Sequence, residues 1–376
     1  METRMGTNSL VALAALGQSP WYDNIDRRLI QNGHLQKLIA LGVMGVTSNP
    51  SIFEKAINGS AVYDETIQAL AKAGKSPEQI YDVITVQDVQ SAADLLSETY
   101  KNTRGRDGYV SLEVLPQYAH DPAKTIDDAR RIHQEVARPN LMIKVPGTKE
   151  GPEAIRVLTR EGINVNVTLL FSLEHYEASA KAYLDGLRER LGDGHTLEDV
   201  CSVASVFVSR VDTKVDKRLK ELKEDRLKGK IAVANAKMIY QRFKALFFSQ
   251  TFRGLASHGA QIQRVLWGST STKNPDYVDV KYVDELIGKD TVNTLPHNTL
   301  EAFLDHGTPK LSIEKNLNKE KEYLEQLKHL RIDLNEVCDE IQKQGVDAFS
   351  ESFNQLIDAI RRKTTAPESS GQVLMA

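Results

Sequence analysis

One lysine lies within a short apolar run, where its amine could act as a nucleophile. The run covers residues 141–145, and Lys144 is its only charged residue. Lysine is rarely buried, because burial disfavours its charged form. A buried lysine therefore presents a free amine, which can attack a carbonyl carbon. The residue type and its setting predict covalent chemistry on a carbonyl substrate.

Two carboxylates occupy comparable positions in other strand-like runs. Glu113 belongs to the run 109–114, and Asp23 ends the run 21–23. Glu113 is predicted to lie one strand away from Lys144, where it could perform general acid–base catalysis, and Asp23 could be a second proton acceptor. A buried Lys144–Glu113 ion pair that only stabilises the fold is the alternative, since structural ion pairs also shift pKa values.

Short strand-like runs alternate with longer helix-like runs along most of the chain. This alternation is typical of β/α units around a parallel sheet. The predicted strands are residues 21–23, 43–47, 109–114, 141–145, 163–168, 201–208, 265–267 and 291–293. Eight strands are what a closed barrel requires. The sequence therefore predicts an α/β fold, a (β/α)8 TIM barrel with additional helices.

Four consecutive central strands place polar side chains on one face only. Alternate residues of a strand face opposite sides of the sheet. The polar faces carry Ser111, Glu113, Lys144, Asn164, Asn166, Thr168 and Ser205. Strands covered by helices should be apolar on both sides, so four polar faces in a row indicate function. We expect them to converge inside the barrel near the carboxyl ends of the strands, where barrel enzymes build their sites.

Helix signals lie between the predicted strands. Ser76 begins a capping box with Pro77 at the first helical position, and Ser172 is a candidate N-cap for a helix running to Leu187. Residues 219–248 are predicted to be mostly helical, and Gly307 to end another helix.

The pattern changes after residue 308, which suggests three parts to the chain. Residues 1–308 are predicted to form the catalytic barrel, and residues 309–362 a helical extension packed on it. Residues 363–376 contain Pro, Ser and Gly and are predicted to be a disordered tail.

Composition excludes several classes of function. The chain has 376 residues, of which 41% are hydrophobic and 26% charged, with a formal net charge of −3. This balance is typical of a globular enzyme and offers no basic field for nucleic acid. We find no apolar run long enough for a membrane span and no signal peptide, so the cytoplasm is the expected compartment. The two cysteines show no metal spacing, and no metal motif is present.

Four segments resemble the transaldolase family in order and spacing. Residues 45–51 read GVTSNPS and resemble the family's Thr-x-Asn-Pro-Ser signature. Residues 141–146 read LMIKVP, similar to the segment that holds its Schiff-base lysine. The stretches INVNVTLLFS at 163–172 and FVSRVD at 207–212 are similar to two further regions. The long extension resembles the longer bacterial members.

The resemblance implies a reaction and a role for each candidate residue. A dihydroxyacetone unit would pass from sedoheptulose 7-phosphate or fructose 6-phosphate to glyceraldehyde 3-phosphate or erythrose 4-phosphate, in the non-oxidative pentose phosphate pathway and without a cofactor. Lys144 would form the imine, Glu113 would shuttle protons through a water held by Thr168, and Asp23 would accept the C4 hydroxyl proton. The implied substrate ligands are Asn49, Asn166 and Ser205 for hydroxyls, and Arg210 for the phosphate.

One position departs from the resemblance, and several alternatives stay open. Many shorter members carry a second phosphate-binding arginine after the seventh strand, where this chain reads GSTSTKNP at 268–275 and Lys273 is the expected substitute. Arg210 could instead pair with Asp212 or another carboxylate. Residues 49–51 could be only a helix start, since residues 51–54 match a capping box, or the loop could both cap a helix and present Asn49. Two rival functions stay open. One is an aldolase that cleaves fructose 6-phosphate, and the other is a catalytically silent barrel that acts as a binding protein. A monomer and a homodimer are equally compatible with the sequence.

Overall fold

Eight parallel strands close into a barrel in sequence order. The structure is a computed structural model that describes residues 8–365. The strands are β1 Gln18–Tyr22, β2 Val46–Thr47, β3 Val110–Glu113, β4 Leu141–Pro146, β5 Val165–Leu170, β6 Ser202–Phe207, β7 Arg264–Gly268 and β8 Thr291–Leu295. Closure comes from parallel pairing of β1 with β8. The predicted (β/α)8 barrel is confirmed, and all eight predicted strands overlap the observed ones.

Helices follow the strands and surround the barrel. They are α1 Ser9–Ala15, α2 Arg27–Gln31, α3 His34–Ala40, α4 Pro50–Asn58, α5 Asp64–Lys72, α6 Pro77–Leu95, α7 Ser97–Asn102, α8 Pro122–Val136, α9 Gly151–Glu161, α10 Leu173–Gly192, α11 Ser209–Glu221, α12 Ile231–Phe247, α13 Gln250–Ala256, α14 Lys281–Asp284, α15 His297–His306, α16 Leu317–His329 and α17 Leu334–Thr365. Two short 3-10 turns occur at Ala61–Tyr63 and Pro116–Tyr118. None of these helices, over residues 8–365, is long and apolar enough to cross a membrane.

Local capping explains several helix starts. The capping box of Ser76 with Gln79 is present at α6, and the Ser172 side chain caps α10 as predicted. At α4 the capping box predicted to begin at Ser51 is wrong, because the cap is Asn49. The Asn49 side chain accepts a hydrogen bond from the Ile52 amide at 3.0 Å. Pro50 then occupies the first helical position, where its missing N–H costs nothing.

The span 219–248 is mostly helical, as the sequence predicts, but a turn divides it between two helices. Helix α11 ends at Glu221 and α12 begins at Ile231. Lys223 adopts a left-handed backbone with φ of 57°, which an α-helix does not accommodate. Two carboxylates, Asp212 and Asp216, then accept hydrogen bonds from the amides of Ala232 and Gly229. These bonds to backbone amides hold the turn and position the start of α12.

The strands separate two apolar clusters, as their alternation predicted. Outward side chains such as Val110, Ile143 and Val167 join one large cluster with the helices. Inward side chains form a smaller cluster inside the barrel, made of Trp21, Tyr109, Met142, Cys201, Val203, Leu266 and Val292. This inner cluster fills the barrel below the polar residues and is the floor of any site above it.

A buried ion pair closes the amino-terminal end of the barrel below that floor. Arg264 Nη2 lies 3.0 Å from Asp107 Oδ1, and both side chains are buried. Asp107 also accepts hydrogen bonds from Ser19 Oγ at 2.8 Å and Trp21 Nε1 at 2.9 Å. Because these partners satisfy the charges, the pair is tolerated in the interior. The opposite end, at the carboxyl ends of the strands, is where a substrate can enter.

The last helix lies across that open end. Helix α17 has 32 residues and packs on α4, α6, α11 and β5. Gln342 Nε2 donates to the carbonyls of Gly147 at 2.8 Å and Leu169 at 2.9 Å, at the ends of β4 and β5. Ser352 Oγ lies 2.7 Å from Ser51 Oγ on α4. The carboxyl-terminal helix therefore covers part of the barrel mouth.

Strand β5 is adapted to receive this helix. Its register with β6 shifts between Val167 and Leu170, and Leu169 adopts a left-handed φ of 61°. A leucine rarely takes this conformation. The bulge turns Leu169 toward α17, where a Cβ on Gly345 would come within 2.9 Å of the leucine side chain. Glycine at this position allows the helix to approach the strand end closely.

The last helix extends beyond the boundary predicted between the helical extension and the tail. Helix α16 packs on α12, and α17 continues through Thr365. Residues 363–365, predicted to belong to the tail, are thus helical, and residues 366–376 lie outside the described residues. The division of the chain at residue 308 stays a prediction.

Candidate active site at the barrel mouth

A polar cavity of about 290 Å³ opens at the carboxyl ends of the strands. Six of the nine predicted site residues line it: Asp23, Asn49, Lys144, Ser205, Arg210 and Lys273. The other three, Glu113, Asn166 and Thr168, are buried in the wall of the barrel. The structure thus brings together residues separated by 250 positions in the chain, from Asp23 to Lys273.

Lys144 is buried at the base of the cavity, with 4% of its surface exposed. Its Nζ donates a hydrogen bond to the Ser48 carbonyl at 2.9 Å and lies 3.6 Å from Glu113 Oε2. The register of β3 with β4 places Glu113 directly opposite Lys144. The Phe349 ring, from α17, lies over the amine at 5.9 Å from its centroid. The amine therefore faces the cavity from a site that is almost closed to water.

Glu113 is held in a form that can give or take a proton near neutral pH. Burial raises the pKa of its carboxyl to about 7, and the charge of Lys144 opposes that rise. Within the described residues, Glu113 Oε2 and Thr168 Oγ1 are buried atoms with no hydrogen-bond partner. Buried polar atoms normally have partners, so each of these two atoms has unused hydrogen-bonding capacity inside the barrel.

Asp23 lies on the other side of the cavity, at the end of β1. Its Oδ1 accepts a hydrogen bond from Thr47 Oγ1 at 2.7 Å, and Thr47 in turn lies 2.6 Å from Thr294 Oγ1. Burial raises the pKa of the Asp23 carboxyl above its ordinary value, and the charge of Lys144 works against that rise. A carboxylate in this setting accepts a proton more readily than one in water.

A row of hydrogen bonds crosses three strands beneath the cavity. Asn166 Nδ2 donates to Ser111 Oγ at 3.0 Å, and Ser205 Oγ donates to Asn166 Oδ1 at 2.6 Å. Both polar atoms of the Asn166 amide are thus in use, and Asn166 does not line the cavity. Ser205 does line it. The row fixes the Ser205 hydroxyl, and the predicted contact of Asn166 with substrate stays a prediction.

Asn49 both caps a helix and lines the cavity. Its Oδ1 caps α4, which fixes the side chain, and the residue lines the cavity. The next residue but one, Ser51, also lines the cavity and binds α17 through Ser352. The first turn of α4 therefore forms one wall of the site.

Two cations stand at the outer end of the cavity. Arg210 has its guanidinium carbon 5.3 Å from the centroid of the Phe207 ring, and burial lowers its pKa. Lys273 Nζ donates to Ser271 Oγ at 2.8 Å. Neither forms an ion pair with any carboxylate between residues 8 and 365. Unpaired, partly buried cations at a cavity favour an anionic ligand such as a phosphate.

The alternative of an Arg210–Asp212 ion pair is wrong. Asp212 points away from the mouth and accepts from the Ala232 amide at 2.7 Å and from Tyr282 Oη at 2.9 Å. In the segment that contains Lys273, Ser269 lines the cavity, whereas Thr270 is fully buried and its Oγ1 binds Asn293 Oδ1 at 3.0 Å.

Sequence reasoning missed Lys55, Phe207 and Phe349, all of which line the cavity. Lys55 lies four residues after Ser51 and so on the same helix face, a spacing that could have identified it. Phe207 shares the inward face of β6 with Ser205. Phe349 lies in a helix with an ordinary amphipathic pattern, and nothing in its local sequence marks it. None of the described residues forms a cluster of His, Cys, Asp and Glu that could hold a metal ion.

The closed barrel, with a polar cavity at the carboxyl ends of its strands, defines a (β/α)8-barrel enzyme. A family model described as transaldolase/fructose-6-phosphate aldolase matches residues 20–360. A protein named transaldolase from Trichodesmium erythraeum is 44% identical, over 96% of this chain and 98% of the relative. Transaldolase 2 from Nostoc punctiforme is also 44% identical, with the same coverage of both chains. A transaldolase from Thiobacillus denitrificans is 44% identical over 93% of this chain and 98% of the relative.

The chain belongs to the transaldolase/fructose-6-phosphate aldolase family. The predicted family is therefore confirmed, and so is the prediction that the chain is an enzyme. The match runs through the barrel and nearly to the end of α17, so the covering helix belongs to the region that the family model describes.

Truncating Phe349 to alanine should expose Lys144 to reagents in solution. Phe349 is the aromatic cover over the amine, and its loss opens a path from the mouth to Nζ. We expect faster modification of Lys144 by a small amine-reactive reagent, measured by peptide mass spectrometry. The matched control is Phe353→Ala, one turn later on α17, because Phe353 packs on Tyr81 with ring centroids 5.2 Å apart.

Both substitutions remove a buried phenyl ring and should cost about 3 kcal/mol of stability. A general loosening of the protein would therefore accelerate modification equally in the two variants. Equal rates for Phe349→Ala and Phe353→Ala would contradict a specific covering role for Phe349.

Proposed function

We propose that this protein catalyses the transaldolase reaction through an imine on Lys144. The enzyme would take a dihydroxyacetone unit from sedoheptulose 7-phosphate or fructose 6-phosphate and transfer it to glyceraldehyde 3-phosphate or erythrose 4-phosphate. Enzymes of this family act on sugar phosphates, which fits the two cations at the mouth. The observation that carries the mechanism is the buried amine of Lys144, 3.6 Å from Glu113, in a cavity that also contains Asp23.

The first stage is formation of the imine. Lys144 Nζ attacks the C2 carbonyl carbon of the donor, and the carbonyl oxygen leaves as water after gaining two protons. Glu113, with its pKa raised to about 7 by burial, donates and recovers a proton in this dehydration. A water held by Thr168 carries that proton between Glu113 and the reacting atoms. The positively charged imine that results can accept an electron pair.

The second stage is carbon–carbon bond cleavage. Asp23 removes the proton from the C4 hydroxyl, the C3–C4 bond breaks, and its electron pair moves toward the imine nitrogen. The aldose leaves, and a three-carbon enamine remains on Lys144. An acceptor aldehyde then enters, the enamine carbon attacks its carbonyl carbon, and Asp23 returns the proton to the new hydroxyl. Hydrolysis of the imine releases the product ketose and the free amine.

The remaining groups would hold the substrate. Asn49 and Ser205 would bind hydroxyl groups, and Asn166 would act on the substrate through Ser205, to which it is bonded. Arg210 would bind the phosphate with its fork of donors, and Lys273 would act as a point charge. We also propose that the protein is located in the cytoplasm and is a monomer or a homodimer.

Transfer and simple cleavage are distinguished by dependence on an acceptor. The family name covers both activities, so an aldolase that releases free dihydroxyacetone is the second candidate. With fructose 6-phosphate alone we expect little free dihydroxyacetone, and with erythrose 4-phosphate added we expect rapid formation of sedoheptulose 7-phosphate. Rapid release of dihydroxyacetone without an acceptor would favour the aldolase. Absence of either reaction would favour a silent binding barrel.

Borohydride reduction in the presence of fructose 6-phosphate should attach a sugar-derived group to Lys144. The imine is reducible, so the adduct becomes permanent and can be located by peptide mass spectrometry. Lys149 is a matched control, because it is exposed and only five residues away. The adduct should persist in Lys149→Met and disappear in Lys144→Met. An adduct at another lysine, or none in folded wild-type protein, would count against Lys144.

Replacing Glu113 by glutamine should lower kcat by a factor of about 10² to 10⁴, because the proton relay is lost. It should also change the pH profile. Since burial raises the Glu113 pKa to about 7, the acid form declines as pH rises through 7, and dehydration of the donor slows on that limb. Glutamine does not ionise, so the pH profile of kcat/KM for the donor, which reports groups of the free enzyme, should lack this limb in Glu113→Gln. A profile of unchanged shape would remove Glu113 from the relay.

A further inference from the structure

A third cation lines the cavity beside Arg210 and Lys273. Lys55 belongs to α4, which follows β2, whereas Arg210 and Lys273 follow β6 and β7. Ser51, Ile52 and Lys55 all line the cavity, as expected for residues that share one face of a helix. Three positively charged groups from three separate parts of the chain therefore surround one cavity.

These three cations have no carboxylate partner within residues 8–365. The contrast with adjacent cations is informative, because Lys214 and Arg218 on α11 both pair with Glu340 on α17. Among residues 8–365, only one carboxylate lines the cavity. It is Asp23, whose Oδ1 accepts from Thr47. These residues therefore leave the positive charge at the outer end uncompensated.

The cations also act on one another. The pKa of Lys273 is lowered by burial and by the charges of Arg210 and Lys55. Like charges that face one cavity repel, which destabilises the empty arrangement. A bound anion reverses that effect, because it attracts all three groups. The arrangement is therefore suited to a ligand with more than one negative charge.

We propose that Lys55 is a phosphate ligand of this site and that, with Lys273, it supplies the charge that a second arginine would supply. This inference rests on the proposed function, since it concerns the phosphate group of the sugar substrates. A phosphate monoester has three terminal oxygens and close to two negative charges at neutral pH. Arg210 can bind two oxygens through its fork, and the two lysines approach as point charges.

The position of Lys55 makes it specific for the phosphate end of the substrate. It stands on α4, one turn beyond Ser51, whereas the reacting carbon must lie against Lys144 at the base. Lys55 is exposed, so its side chain reaches the phosphate from the solvent side. It should therefore affect binding of phosphorylated substrates and leave the chemical steps at Lys144 unchanged.

The test compares Lys55→Met with Lys37→Met, an exposed lysine on α3 that does not line the cavity. Both variants lose one positive charge, so the change in net charge is the same. With fructose 6-phosphate at a saturating concentration for each variant, KM is measured for glyceraldehyde 3-phosphate and for unphosphorylated glyceraldehyde. Binding of inorganic phosphate to the free enzyme is measured by calorimetry in parallel, a readout that requires no turnover.

We expect Lys55→Met to raise KM for the phosphorylated acceptor, and Kd for inorganic phosphate, by about tenfold, as for loss of one charged hydrogen bond. KM for glyceraldehyde and kcat should stay within about twofold, a difference too small to represent one hydrogen bond. Lys37→Met should match the wild type.

Equal changes for the two acceptors, or unchanged phosphate binding in folded Lys55→Met protein, would overturn the proposal. If the wild type binds phosphate through Lys55 but transfers no ketol unit, the proposed function fails and the anion site stands.

Discussion

The buried contact between Lys144 and Glu113 is the constraint on which the rest of the site depends. Removing an amine and a carboxylate from water is costly, and the cost is met only if both groups have partners in fixed positions. The parallel register of β3 and β4 places them opposite each other, and the Ser48 carbonyl gives the amine a second polar contact. The apolar cluster below them and the ion pair at the opposite end keep the barrel closed around this contact.

Helix α17 covers the Lys144–Glu113 contact and limits its access to water. Phe349 lies over the Lys144 amine, and Gln342 holds the helix to the ends of β4 and β5. Exclusion of water strengthens electrostatic interactions inside a site, so the same helix that limits access also increases the effect of each charge. The bulge at Leu169 and the glycine at position 345 allow this close approach. The charges of the site are divided, with Glu113 beside the amine and the cations Lys55, Arg210 and Lys273 at the mouth.

Sequence reasoning predicted the barrel because its evidence is local. Alternation of polar and apolar residues depends on the pleat of a single strand, and the capping of α6 by Ser76 depends on four consecutive residues. It was less successful where distant groups compete for the same atoms. The sequence did not reveal that the Asn166 amide bonds to both Ser111 and Ser205. Ser51 matches a capping box, yet Asn49 takes the cap and Ser51 bonds to α17.

The sequence by itself determined the eight strands, the family, and the inward position of Lys144, Glu113 and Thr168. These features follow from side-chain alternation and from motifs of a few residues. Only the tertiary structure decided that α17 covers the mouth, that Phe349 faces Lys144, and that Lys55 joins Arg210 and Lys273 at one cavity. Those contacts join residues far apart in the chain, and their geometry depends on how the whole barrel closes. Local patterns contain no information about such distances, so only the folded chain brings these residues together.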